Sequence, residues 1–116
     1  GVEVYCLAPA GTSSSNGETG KSIAPSYPGH ARNEKNVLFA YLMQRTLVKN
    51  LKVADRGVKR SQFAVLLAPK CPAILIEAGF MTNPNEAKRI YDSDYRKRMA
   101  GAIVDGILAY KKIVER

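Results

Sequence analysis

The feature that most limits the fold of this 116-residue chain is a short, wholly apolar run at residues 73–76. Pro72 precedes it and Gly79 follows it closely. An apolar run of this length, bounded by helix-breaking residues, is typical of a strand buried on both faces. We therefore expect residues 73–76 to form a central strand of a sheet.

The remaining pattern predicts helices and two further strands. Residues 2–7, VEVYCL, alternate as in a strand, and the apolar run at 63–68 is interpreted as another strand. Helices are predicted from Asn33 to about residue 51, over 84–90, and after a cap at Asp92 or Ser93. The segment 55–57, Asp-Arg-Gly, is interpreted as a break. The order indicates an α/β fold with a partial sheet of about three strands flanked by helices.

Each long helix has a predicted core face. In the first it comprises Val37, Ala40, Tyr41, Met43, Leu47, Val48 and Leu51, with Leu38 and Leu42 on the other side, so this helix can be covered on two sides. In the last it comprises Met99, Ala102, Ile103, Gly106, Ile107, Tyr110 and Val114. The short helix has a strong start signal, with Asn83 as N-cap, Pro84 at the first position and Glu86 completing a capping box.

Residues 8–33 form a long Gly/Ser/Pro-rich loop, in which 16 of 26 residues are Gly, Pro, Ser, Thr or Asn. Within it, residues 15–22 nearly match a phosphate-binding P-loop. Pro25 and Pro28 follow too closely for the helix that a P-loop must enter. A nucleotide site is therefore not favoured.

The charge favours an anionic partner, because 18 basic residues face 10 acidic ones. Aromatic residues are not interleaved with the basic ones as a nucleic-acid stacking platform requires, so no nucleic acid is expected. No stretch is long and apolar enough for a membrane span. The chain starts without Met, inside a predicted strand, so we expect a processed chain or a fragment.

Cysteine and histidine are too few for most metal sites. Cys6 and Cys71 both adjoin apolar runs, and buried free thiols are expected. His30 is the only histidine and lies in a Pro-Gly-His turn, where an exposed loop residue is favoured over a catalytic base. These three residues lack the spacing of a zinc site.

Glu77, directly after the apolar run, is the candidate catalytic residue. We expect it at the carboxyl end of a central strand, which is where open α/β sheets bind ligands. A buried glutamate must be paired, bound to a cation or protonated, and such groups concentrate at functional sites. Two interpretations stay open: a catalytic or ligand-binding carboxylate, or a structural one paired with a neighbouring arginine.

Three blocks in order then resemble a known family. They are residues 1–5 (GVEVY), residues 55–60 (DRGVKR) followed by 63–66 (FAVL), and residues 72–80 (PAILIEAGF) followed by Thr82 and Asn83. The chain resembles the C-terminal half of the catalytic domain of zinc-dependent N-acetylmuramoyl-L-alanine amidases, the amidase type 3 cell-wall hydrolases. The closing helix fits this resemblance as well.

The resemblance implies a chemistry and a location. The family cleaves the amide between N-acetylmuramic acid and L-alanine in peptidoglycan, using a Zn²⁺ ion that lowers the pKa of a bound water. Glu77 matches the carboxylate that takes a proton from this water and passes it to the leaving amine. A bacterial cell envelope location, periplasmic or secreted, is implied with it.

The zinc ligands of the family, two His and one Glu, precede the strand that matches residues 1–7, so none lies in this chain, and His30 matches no ligand position. We therefore expect residues 1–116 to be the C-terminal part of one amidase domain, inactive alone, that self-associates or packs against the missing N-terminal half. The alternative is a non-catalytic basic module that binds an anionic cell-wall polymer.

Overall fold

The computed structural model describes residues 1–12 and 27–115. The elements are strand β1 (Val2–Leu7), a 3-10 turn (Pro28–Arg32), helix α1 (Asn33–Leu51), strand β2 (Asp55–Ser61), helix α2 (Ala64–Leu67), strand β3 (Leu75–Glu77), helix α3 (Pro84–Tyr91) and helix α4 (Ser93–Val114). The predicted α/β class, with three strands flanked by helices, is confirmed. None of the helices in the described ranges has the length and apolarity to cross a membrane.

The first strand lies in the middle of the sheet, because the strand order is β2-β1-β3. β1 and β2 are parallel, with Val4 opposite Val58. β3 runs antiparallel to β1, with Glu3 opposite Glu77. The expectation of a central strand at residues 73–76 is therefore wrong for the described sheet. β3 is an edge strand of three half-buried residues.

The second strand is also not where the sequence predicted it. Residues 55–61, DRGVKRS, form β2, although residues 55–57 were interpreted as a break. The apolar run at 63–68 contains helix α2 instead, with Leu66 buried. β2 forms because its backbone pairs with β1, and an edge strand with half-exposed side chains tolerates charged residues.

The main core lies between the sheet and the two long helices. Val2, Val4 and Cys6 of β1 point to this side, which we call the helix-covered face, and all three are fully buried. They pack against Ala40, Met43, Leu47 and Leu51 of α1 and against Tyr95, Met99 and Ala102 of α4. The core thus joins both ends of the chain.

The predicted helix faces are largely confirmed. In α4, Met99, Ala102, Gly106 and Tyr110 are buried and Ile103 packs on the core, whereas Ile107 and Val114 are exposed. In α1, Leu42 is buried while Tyr41 is 53% exposed, so the face was misjudged there. A Cβ on Gly106 would clash with the Met43 sulfur, which shows how closely α1 and α4 approach.

Buried polar residues of α1 tie this helix to the chain around it. The Asn36 side chain accepts a hydrogen bond from Ala73 N at 3.0 Å and donates one to Gly29 O at 3.2 Å. The Gln44 amide nitrogen donates to Val2 O at 2.8 Å. The Asn36 amide is therefore paired on both of its polar atoms, whereas the buried Gln44 oxygen has no hydrogen-bond partner among the described residues.

Both predicted helix starts near the C-terminus are confirmed. Asn83 accepts hydrogen bonds from the backbone nitrogens of Asn85 and Glu86, at 3.0 and 3.2 Å. Asp92 caps α4 by accepting from Asp94 N at 2.9 Å. These caps fix where the chain turns after β3.

The predicted loop at 8–33 is only partly described. Residues 28–32 form the 3-10 turn rather than an irregular loop, and α1 begins at Asn33 as expected. Most of the loop, including the segment that resembles a P-loop, lies at 13–26, outside the described residues.

Candidate active site

The second face of the sheet, which we call the open face, divides into an apolar and a polar half. Tyr5 and Leu7 of β1 form the apolar half with Phe63 and Leu66, and the rings of Tyr5 and Phe63 lie 5.1 Å apart. The polar half begins at Glu3, toward the start of β1. Cross-strand partners in an antiparallel pair share a face, so Glu77 projects from this polar half beside Glu3.

Glu3 is a structural carboxylate, as its burial and its bonding partners show. It is only 4% exposed. Its Oε1 accepts a hydrogen bond from the Tyr5 hydroxyl at 3.1 Å. Its Oε2 lies 3.5 Å from Lys59 Nζ and 3.7 Å from Arg56 Nε, both on β2. A buried carboxylate with this set of partners is compensated in place.

Glu77 differs from Glu3 although the two face each other across the strands. It is half-buried, and among the described residues its carboxylate forms neither a hydrogen bond nor an ion pair. The cations that a structural carboxylate would need here are engaged by Glu3 instead. A half-buried carboxylate opposite a second one, without a cation of its own, costs stability and leaves its oxygens available for chemistry.

One premise behind the Glu77 prediction is wrong. The carboxyl end of β3 lies beside the amino ends of β1 and β2, because β3 is antiparallel to β1. Glu77 therefore does not occupy the edge where parallel strands present their carboxyl ends. The neighbouring Arg56 does exist, as the structural interpretation required, but its ion pair is with Glu3.

The turn after β3 is held by a second buried carboxylate that sequence reasoning assigned differently. Glu86 is 7% exposed, and its Oε2 accepts a hydrogen bond from Phe80 N at 2.6 Å. Its other oxygen contacts the Gly1 nitrogen. Gly79 has φ 152°, a backbone conformation that other residues rarely adopt. Glu86 thus fixes the loop that carries Phe80, rather than closing a capping box.

Arg56 also reaches this loop, which the sequence did not indicate. Its guanidinium carbon lies 4.4 Å from the centre of the Phe80 ring. The contact joins β2 to the segment that follows Glu77. The one sequence signal for this contact is that Arg56 and Phe80 both lie in the blocks that carry the family resemblance.

His30 is not an exposed loop residue. Its Nδ1 accepts a hydrogen bond from Tyr27 N at 2.8 Å, and its Nε2 lies 3.0 Å from Gln62 Oε1. Both ring nitrogens are engaged, so His30 joins the 3-10 turn to the segment after β2. No nucleophile is paired with it in the part of the chain that the structure describes.

The described residues do not fit a zinc site. Within 1–12 and 27–115, no group of three or more His, Cys, Asp or Glu side chains could hold a metal ion. Cys6 is buried on the helix-covered face, and burial raises the pKa of its thiol. Cys71 is exposed, which corrects the expectation that both cysteines are buried.

The largest of the described cavities lies elsewhere. A groove of about 580 Å³ between α1 and β2 is lined by residues that include Tyr41, Val48 and Val58. Glu3 and Glu77 do not line it. The chemistry of Glu77, rather than cavity size, therefore defines the candidate site.

The sequence is similar to those of curated amidases. The amidase LytC of Bacillus subtilis is 38% identical over 80 residues, which cover 69% of this chain and 16% of LytC. The amidase AmiA of Escherichia coli is 34% identical over 59 residues, covering 51% of this chain and 20% of AmiA. The chain thus matches only a minor part of each relative's length.

Solved structures show the same fold over nearly the whole chain. An N-acetylmuramoyl-L-alanine amidase from Clostridium difficile 630 has a TM-score of 0.71 at 32% identity, covering 97% of this chain and 48% of that one. AmiC2 of Nostoc punctiforme gives the same TM-score and coverage at 26% identity. The chain spans about half the length of these structures.

The sequence profile of one family matches residues 1–109, a range that includes every strand and both blocks around Arg56 and Glu77. Together with the shared fold, this match shows that the chain belongs to the N-acetylmuramoyl-L-alanine amidase family.

Proposed function

We propose that the protein containing this chain is a peptidoglycan hydrolase of the bacterial cell envelope, which cleaves the amide between N-acetylmuramic acid and L-alanine. Family membership supports the reaction class. Relatives named as amidases, including a probable cell wall amidase of Staphylococcus aureus, support the location. The observation that carries the proposal is the carboxylate of Glu77, which has, within residues 1–12 and 27–115, none of the cation partners that Glu3 holds beside it.

Glu77 is the proposed general base and acid. As a carboxylate it takes a proton from the attacking water, and it then returns this proton to the nitrogen of the leaving amine. An oxygen already bound to a cation or a backbone N–H would be a weaker base, so the lack of such partners among the described residues suits this role. The fixed turn at Gly79 and Phe80 holds the end of β3 in place.

The Zn²⁺ ion of the family has no ligand set among the described residues. We assign its coordination to the half of the domain that this chain does not span. When bound, such an ion supplies a Lewis acid and an activated water. In this proposal Glu77 transfers the proton and does not bind the ion.

The test is Glu77→Gln in the full-length protein. The measurement is the appearance of new N-terminal alanine on peptides cleaved from purified peptidoglycan. Because general acid–base catalysis contributes about 10²–10⁴-fold, kcat should fall by at least about 100-fold. The melting temperature should stay near wild type or rise slightly, since a carboxylate held for function adds little stability. Glu34→Gln, at an exposed position in the first turn of α1, is the matched control and should change neither value.

Near-wild-type turnover together with a lower melting temperature would remove Glu77 from the mechanism. Wild-type protein that binds peptidoglycan but exposes no new N-terminal alanine would contradict the hydrolase proposal. That result, with binding that weakens steeply as salt is added, would instead identify the basic polymer-binding module.

A further inference from the structure

The guanidinium of Arg56 is held in place by its neighbours, but some of its N–H donors have no partner among the described residues. It stacks on Phe80 at 4.4 Å, and its Nε lies 3.7 Å from Glu3. The side chain remains 43% exposed. Among residues 1–12 and 27–115 it makes no hydrogen bond and no other ion pair, which leaves both terminal nitrogens free. A planar guanidinium steadied on a ring is suited to bidentate binding of a carboxylate.

Its position places this free edge beside the candidate active site. Glu3, its ion-pair partner, is directly opposite Glu77, and Phe80 lies three residues after Glu77. Lys59 also pairs with Glu3, so two cations share one buried carboxylate. The second positive charge is available to offset the repulsion between Glu77 and an incoming anion.

We propose that Arg56 and Phe80 form a carboxylate-binding subsite for the stem peptide of the substrate. This inference rests on the proposed function and names the part of the substrate that the site recognises. The peptide on the amine side of the scissile bond continues from L-alanine to an acidic residue, whereas the sugar on the acyl side carries no other charge near that bond. Arg56 therefore positions the leaving peptide beside Glu77 and is not itself a catalytic residue.

The test measures ligand binding rather than product formation. Comparing the wild type with Arg56→Gln cancels contributions that are common to both proteins, such as binding of a ligand carboxylate to a metal ion. N-acetyl-L-alanyl-D-glutamate and its diamide are titrated into the full-length protein and followed by NMR. The wild type should bind the diacid at least about tenfold more tightly than the diamide, as expected for charge-assisted hydrogen bonds. Arg56→Gln should reduce this preference to below about twofold, and Arg56→Lys should recover part of it.

Arg45→Gln is the matched control. Arg45 also stacks on an aromatic ring, that of Tyr41 at 5.5 Å, but lies on the exposed side of α1, away from the open face. It should leave the preference unchanged. Melting temperatures of all variants separate loss of the subsite from loss of folding, because a folding defect would weaken both ligands equally.

Equal binding of diacid and diamide by the wild type would overturn the subsite, as would an unchanged preference in Arg56→Gln or an equal loss in Arg45→Gln. The two proposals fail separately. Hydrolysis without any diacid preference removes only the subsite. A preference that depends on Arg56, in a protein that exposes no new N-terminal alanine on peptidoglycan, supports the subsite and refutes the hydrolase.

Discussion

The two faces of the sheet differ in the side chains that cover them. On the helix-covered face, β1 contributes Val2, Val4 and Cys6, each fully buried under α1 and α4. On the polar half of the open face, the same strand contributes Glu3, whose burial is compensated by Arg56, Lys59 and the Tyr5 hydroxyl. The helix-covered face of β1 is therefore apolar throughout, whereas the polar half of the open face holds charged groups in fixed positions.

This difference predicts that mutations on the two faces separate stability from activity. Apolar contacts on the helix-covered face are dense and cannot be replaced by water. On the open face, Glu3 and Glu77 lie at paired positions but differ in burial and in their partners. Two substitutions and one labelling experiment test this separation. They follow from the largest expected effect to the smallest.

Leu47→Ala should cause the largest loss of stability. Leu47 is fully buried between α1, α4 and β1, so its truncation leaves a cavity and should cost about 2–5 kcal/mol. Leu108→Ala, at a 54% exposed position of α4, is the control and should cost little. The measurement is urea unfolding followed by circular dichroism. Equal losses in the two variants would show that the helix-covered face is not the stabilising one.

Glu3→Gln should have an intermediate effect. It removes the charge that pairs with Arg56 and Lys59, and because both cations are partly exposed the expected loss is about 1–2 kcal/mol. Glu77→Gln is the matched comparison on the same face, and it should leave the free energy of unfolding nearly unchanged. The same urea titration measures both. A larger loss for Glu77→Gln would reverse their assigned roles.

The two cysteines should differ in reactivity. Cys71 is exposed and should react quickly with a thiol reagent, whereas Cys6 should react only when the core opens. Because burial raises the pKa of Cys6 above its ordinary 9.0, the unfolded chain loses this proton first, and stability should decline as pH rises past about 9. Peptide mapping after timed labelling at pH 8 identifies each site. Rapid labelling of Cys6 would contradict its burial.

The predictable part of the fold rests on local signals that tertiary contacts did not override. Alternation in β1, the 3.6-residue period of α4 and the Asn83 and Asp92 caps each correspond to an observed element. β2 escaped prediction because a charged segment carries no burial signal, and its strand conformation depends on pairing with β1. Tyr41 was misplaced because a broad helical face does not show which positions the neighbours cover.

For the candidate site, the sequence pointed to Glu77 but not to the residues around it. The motif and the position after an apolar run were local features, so they could be read directly. Arg56 lies 21 positions before Glu77, Glu3 lies 74 before it, and only the sheet brings the three together. Their contacts decide that Glu3 is the paired carboxylate and that Glu77 is not.

The sequence by itself therefore determined the α/β class, the starts of helices α1, α3 and α4, the family resemblance and the residue to test first. Only the tertiary structure decided that β1 is the middle strand, that β3 is an antiparallel edge, and that two cations on β2 serve Glu3. The physical reason is the sequence separation over which each kind of interaction acts. Turns, caps and amphipathic periods act between residues a few positions apart, whereas strand order and ion pairing depend on which distant segments the packed helices bring together.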